Sequence, residues 1–155
     1  MKRTGFLVAT MLTALLVVSG VALAKEILGT PKNDRIGGTA KNDYVDSLAG
    51  NDTIVGRGGD DDIYGQRGVG SISGSDGADD LYGGDGQDDV FGGDGADTLT
   101  GASDTDELSG GNNNDTINSV GGGEDYVHCG LGEDDQAIVG REDGWFGCEL
   151  LTIER

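Results

Sequence analysis

The chain has 155 residues, with 29 acids against 10 bases and 31 glycines, for a formal net charge of −19. That charge excludes binding to nucleic acid or anionic lipid through bulk electrostatics. One proline, one tryptophan and three phenylalanines leave little for an ordinary globular core. So much glycine and like charge favours disorder, unless a cation gathers the carboxylates.

Met1-Lys2-Arg3 precedes an apolar run from Phe6 to Val18, and Ala22-Leu23-Ala24 closes it. A basic start, a short apolar stretch and a small-x-small site predict a secretory signal peptide over residues 1–24, cut after Ala24. An uncleaved anchor would need about 20 apolar residues, more than this run supplies. No later segment is apolar enough to span a membrane. Cleavage removes Lys2 and Arg3 and no acid, so the net charge falls from −19 to −21. The expected location is extracellular.

From Gly29 to Asn118 the chain repeats a nine-residue unit ten times. Two clear copies are Gly83-Gly84-Asp85-Gly86-Gln87-Asp88-Asp89-Val90-Phe91 and Gly92-Gly93-Asp94-Gly95-Ala96-Asp97-Thr98-Leu99-Thr100. The eighth positions are Ile36, Val45, Ile54, Ile63, Ile72, Leu81, Val90, Leu99, Leu108 and Ile117. Aliphatics nine apart share an inner face only if the chain coils regularly. Two units per coil give two short strands, about three residues each, whose stacked side chains fill a narrow interior. The sixth positions are Asp34, Asp43, Asp52, Asp61, Gly70, Asp79, Asp88, Asp97, Asp106 and Asp115, with Gly70 the sole departure. The first positions are glycine throughout except Ser47. Glycine there permits positive φ and leaves room for carbonyls to crowd an ion. Calcium takes six to eight oxygens from carboxylates and carbonyls, at about 2.3–2.6 Å, and a glycine-rich turn ending in Asp offers both. A metal-free β-solenoid is the alternative, but it would hold unneutralised columns of aspartate.

The pattern G-G-x-G-x-D-x-U-x, with U a large aliphatic, resembles the RTX, or haemolysin-type, calcium-binding repeat. The resemblance is strong over Gly29–Asn118 and fades towards residue 139. It implies an all-β, right-handed parallel β-roll in which six residues of each unit turn and three form a strand. It also implies Ca2+ between turns of successive coils, shared by aspartates 18 apart. One edge then carries Asp43, Asp61, Asp79, Asp97 and Asp115 without a break. The other carries Asp34, Asp52, Gly70, Asp88 and Asp106, and should bind weakly beside Gly70. The fourth position is glycine at Gly50, Gly59, Gly68, Gly77, Gly86 and Gly95, but Lys32, Lys41, Asp104 and Asn113 elsewhere. Residues 29–46 should therefore bind weakly or act as a cap, and Gly74–Thr100 should bind best. The predicted ligand set is Asp43, Asp52, Asp61, Asp79, Asp88, Asp97, Asp106 and Asp115, with Gly56, Gly59, Gly74, Gly77, Gly84, Gly86, Gly93 and Gly95 framing them. Asp76, Asp85 and Asp94 add acid nearby or face solvent.

The roll is expected over residues 25–118, with degenerate repeats and a cap over 119–155. Asp125/Val127 and Asp135/Ala137 continue the pattern at a spacing of ten. Trp145, Phe146, Leu150, Leu151 and Ile153 should cover the last open coil, which would otherwise invite edge-to-edge pairing. Cys129 and Cys148 are expected to form a structural disulfide, since an exported chain meets an oxidising compartment. Neither a Cys-x-x-Cys spacing nor a basic cluster marks a redox pair. His128 is the sole histidine, too isolated to hold zinc.

No catalytic domain accompanies the repeats. His-Glu-x-x-His and Gly-x-Ser-x-Gly are both missing, and the periodic carboxylates read as ligands rather than as a catalytic pair. The expectation is a non-enzymatic, secreted calcium-binding protein. The alternative is an adhesive or matrix module offering Tyr64, Tyr82, Phe91, Thr98 and Thr100 to an extracellular glycan or surface.

Overall fold

The computed structural model describes residues 24–154. The expected leader lies outside them, apart from Ala24. Fifteen strands alternate between two parallel sheets. One sheet stacks, in spatial order, β1 (Glu26–Leu28), β3 (Tyr44–Asp46), β5 (Asp62–Tyr64), β7 (Asp80–Asp85), β9 (Thr98–Ser103), β11 (Thr116–Asn118), β13 (Gln136–Val139) and β15 (Leu150–Ile153). The other stacks β2 (Arg35–Gly37), β4 (Thr53–Gly58), β6 (Ser71–Asp76), β8 (Asp89–Asp94), β10 (Glu107–Asn112), β12 (Tyr126–Leu131) and β14 (Gly144–Phe146). Each strand pairs with the strand two further along the chain, so one coil holds two units, as the repeat predicts. The fold is an all-β parallel solenoid of about seven turns.

Strand periodicity places the eighth residue inside and its neighbours outside. In register, Ile27, Val45, Ile63, Leu81, Leu99, Ile117, Ala137 and Leu151 line one wall. Ile36, Ile54, Ile72, Val90, Leu108 and Val127 line the other. From Val45 to Ala137 these residues are fully buried. Each aliphatic contributes about 1.5–3 kcal/mol on burial, and no other hydrophobic layer exists among the described residues.

Several strands run six residues rather than the expected three. Pairing continues into the first residues of the next unit, skipping its first position: Arg57 aligns with Ser75, and Ser75 with Gly93. The turn proper shrinks to three residues, as at Gly95-Ala96-Asp97 between β8 and β9. The second position makes the corner by adopting left-handed φ. Leu48, Arg57, Gln66, Ser75 and Ala102 do so although they carry side chains, at a cost of about 1–2 kcal/mol each.

The coil lengthens after Ile117. Glu107 pairs with Tyr126 and Thr116 with Gln136, steps of 19 and 20 residues instead of 18. The expected cap is a different object. β14 and β15 extend the two sheets by one strand each, in register with β12 and β13. Of the five apolar residues expected to cover the coil, Leu151 alone packs against the core, whereas Trp145 is 46% exposed and Phe146 61%. A chain that keeps pairing its backbone cannot also fold across the end of the stack. The Cys129–Cys148 disulfide ties these last coils together, and no helix forms among the described residues.

Candidate metal centre

The sixth residue of each unit closes a turn, and the solenoid stacks these residues into two columns. Turns entering the eight-stranded sheet carry Asp43, Asp61, Asp79, Asp97, Asp115 and Asp135. Turns entering the seven-stranded sheet carry Asp34, Asp52, Gly70, Asp88, Asp106 and Asp125. The ladder of hydrogen bonds is regular. The backbone N–H of Asp43 donates to Oδ1 of Asp61 at 2.7 Å, that of Asp61 to Asp79 at 2.8 Å, and that of Asp79 to Asp97 at 2.9 Å. Asp97 donates to Asp115 and Asp115 to Asp135, both at 2.9 Å. On the other edge Asp34 donates to Asp52, Gly70 to Asp88, Asp88 to Asp106 and Asp106 to Asp125. At Gly70 no carboxylate receives the N–H of Asp52. The alternation expected from the sequence therefore holds, and the break falls on one edge alone.

One carboxylate oxygen of each aspartate is thus occupied. The second, Oδ2, is buried without a hydrogen-bond partner in Asp52, Asp61, Asp79, Asp88, Asp97, Asp106, Asp115, Asp125 and Asp135. An unpaired charged oxygen out of water is costly unless something neutralises it. Its surroundings show what would fit. A Cβ placed on Gly56 would collide with Oδ2 of Asp61 and lie 2.7 Å from the carbonyl oxygen of Gly74. On Gly74 it would meet Oδ2 of Asp79 and the carbonyl of Gly92, and on Gly92 Oδ2 of Asp97 and the carbonyl of Gly110. Gly83 repeats this on the other edge, with Asp88 and the carbonyl of Gly101. The first-position glycine holds open a space where a carboxylate and a carbonyl converge. No three His, Cys, Asp or Glu side chains gather at one point among the described residues. The donor set is all oxygen and partly main chain, which suits calcium rather than zinc.

Burial pushes the Asp61, Asp79, Asp88 and Asp125 carboxyls up to about 6, against the pull of the N–H that donates to each and with help from neighbouring carboxylates. For the same reasons Asp106 and Asp115 rise to about 7. Asp97 is raised by burial and by Asp94. These carboxyls therefore hold their protons to higher pH than a free aspartate does.

The framing glycines divide by position. Gly56 and Gly74, in first position, lack the positive φ expected there and are required instead by the close approach of a carboxylate and a carbonyl, whereas Gly59, Gly77, Gly86 and Gly95 in fourth position, and Gly84 and Gly93 in second, all have positive φ. Asp104 and Asn113 adopt it too, while Lys32 and Lys41 do not. Asp76, Asp85 and Asp94 face solvent. Asp43 differs from the rest of the predicted ligands: its Oδ2 accepts the N–H of Thr39. Ser47, buried in place of a glycine, donates its hydroxyl to the carbonyl of Gly65 at 2.7 Å.

Asp125 and Asp135, read from the sequence as continuing the pattern but left out of the ligand set, belong to the columns, because the longer coils keep their carboxylates in line. Two features were missed. Asp143 and Glu149 end the columns, accepting the N–H groups of Asp125 and Asp135. A second ladder of opposite polarity runs through the fifth position, where Asn33, Asn42, Asn51 and Asp60 accept the N–H one coil later.

No curated protein matches the chain. The model of the RTX calcium-binding nonapeptide repeat matches in four copies, over residues 28–63, 37–72, 64–99 and 82–117, which together cover more than half of the sequence. With the aspartate columns and the two-units-per-coil solenoid, that match settles the assignment: the chain belongs to the RTX calcium-binding nonapeptide repeat family.

Proposed function

We propose that this is an exported protein whose roll assembles when calcium neutralises its aspartate columns. The observation that carries this reading is the set of nine buried carboxylate oxygens with no protein donor. Asp61, Asp79, Asp97 and Asp115 on one edge, and Asp88 and Asp106 on the other, are the ligands, with carbonyls of the first-position residues one coil on. Calcium supplies the positive charge these oxygens lack. The carboxylates of one column belong to different coils, so the site exists only when the coils are stacked, and binding and folding become one event. At low calcium the acidic chain repels itself and stays extended. Outside the cell, calcium meets the affinity expected of extracellular modules, Kd about 10⁻⁴–10⁻³ M. Far-UV circular dichroism under calcium titration tests this, with magnesium as control. A cooperative rise in β-structure, reversed by chelator and not reproduced by magnesium, is expected. A chain equally β-rich in chelator would sink the reading.

A second reading, a calcium-stiffened surface for glycan, has one observation in its favour. Tyr44, Tyr64 and Tyr82 form a row on the outer face of the eight-stranded sheet, with ring centroids 5.5 and 6.3 Å apart. Tyr44 and Tyr82 are exposed, and Asp62 and Asp80 flank them. Thr98 and Thr100 continue this face, whereas Phe91 lies on the opposite sheet. Rings beside carboxylates suit a sugar's apolar face and hydroxyls. Glycan-array binding lost in Tyr64→Ala and in chelator would support it; signal that survives both would remove it.

A further inference from the structure

Two consecutive turns depart from the repeat in the same way. Gly29-Thr30-Pro31-Lys32-Asn33-Asp34 and Gly38-Thr39-Ala40-Lys41-Asn42-Asp43 both place threonine second and lysine fourth. From Leu48 to Gly111 every second-position residue has positive φ; Thr30 and Thr39 do not. A β-branched side chain resists that region. The change of φ turns the second-position N–H towards the carboxylate. Thr30 N–H donates to Oδ2 of Asp34 at 2.6 Å and its hydroxyl to the same oxygen at 2.9 Å. Thr39 N–H donates to Oδ2 of Asp43, and its hydroxyl to Oδ1 at 3.2 Å. Asp43 is buried like the later aspartates, yet its Oδ2 is not among the unpartnered ones. The other oxygen of Asp43 accepts the N–H of Lys25. Lysine at the fourth position sets a positive charge in the same turn.

We propose that the G-T-x-K-N-D turns are cation-free: protein donors satisfy the carboxylates of Asp34 and Asp43, and this first coil is a fixed end on which the calcium-dependent coils stack. The far end of the column that holds Asp125 follows the same principle. Oδ2 of Asp143 accepts the Ser119 hydroxyl at 2.7 Å and the Gly140 N–H at 2.6 Å. The cation-demanding stretch of that column is thereby bounded between Asp52 and Asp125. The inference rests on the calcium reading above and specifies where that reading stops.

The test counts calcium per chain by equilibrium dialysis of the purified protein and its variants. Asp34→Asn with Asp43→Asn removes both charges but keeps one acceptor oxygen in each turn, and should leave the count unchanged. Asp79→Asn should lower it. Thr39→Gly with Lys41→Gly restores the full G-G-x-G-x-D turn and should add one ion. A count that falls in the Asp34/Asp43 variant, or fails to rise in the Thr39/Lys41 variant, overturns this inference and leaves the calcium reading standing. A wild-type protein that binds no calcium overturns both.

Discussion

The two edges of the solenoid are built from the same nine-residue unit, yet they differ. On one edge five aspartates, from Asp61 to Asp135, follow Asp43 without interruption. On the other, Gly70 separates Asp52 from Asp88, and Ser47 replaces the glycine of the Asp52 turn. Because consecutive units go to opposite edges, a substitution in one unit changes one column only. The repeat therefore encodes two independent files of carboxylates rather than one.

The largest effect should come from the middle of the unbroken file. Asp97→Ala strips the acceptor from the Asp79 N–H and removes a proposed calcium ligand from the centre of the column. A loss of roughly 4 kcal/mol is expected for breaking such a buried charged contact. Asp52→Ala, at the margin of the broken file, should cost far less. Calcium midpoints read by circular dichroism should differ more than tenfold between the two; equal midpoints would dissolve the distinction between edges.

The disulfide sits on the unbroken edge, since Cys129 opens the turn that ends in Asp135. Its reduction and alkylation should lower stability in calcium by about 3 kcal/mol in the chain-entropy model. A thermal midpoint that does not move would remove its structural role.

Acidity should act on both files, in opposite directions with and without calcium. The folded carboxyls titrate at about 6 to 7, as at Asp79 and Asp115, against about 3.9 in an unfolded chain. The folded state then holds more protons, so without calcium the roll is most stable below about pH 4 and weakens as pH rises through 6 to 7. With calcium, protons compete, and the calcium midpoint should climb as pH falls from 7 to 5. Chelated protein with no more β-structure at pH 4 than at pH 8 would contradict this.

Repairing the broken file should have the smallest effect. Gly70 lacks positive φ, so Gly70→Asp suits the backbone, although its Cβ would lie 3.1 Å from Oδ1 of Asp88. A few-fold lower calcium midpoint is expected, worth about 1 kcal/mol. An unchanged midpoint would mean that Asp52 and Asp88 do not communicate across this turn.

The spacing of Ile, Leu and Val at every eighth position determined the solenoid, because only a coil of two units puts residues 18 apart on one wall. The same count assigned each aspartate to its edge and located the break at Gly70. Periodicity carries this information since neighbouring coils contact each other at fixed sequence separation. What the chain does at its ends was not legible that way. The pattern could be followed to Asp125 and Asp135, but not the alignment of their carboxylates with the columns, and Trp145 and Phe146 extend a sheet instead of covering it. The fate of Asp34 and Asp43 depended on whether Thr30 and Thr39 enter the left-handed region, which decides where one N–H points. A repeat fixes contacts between equivalent residues, but which carboxylate finds a protein donor is decided by the local backbone of each turn and by the coil stacked upon it.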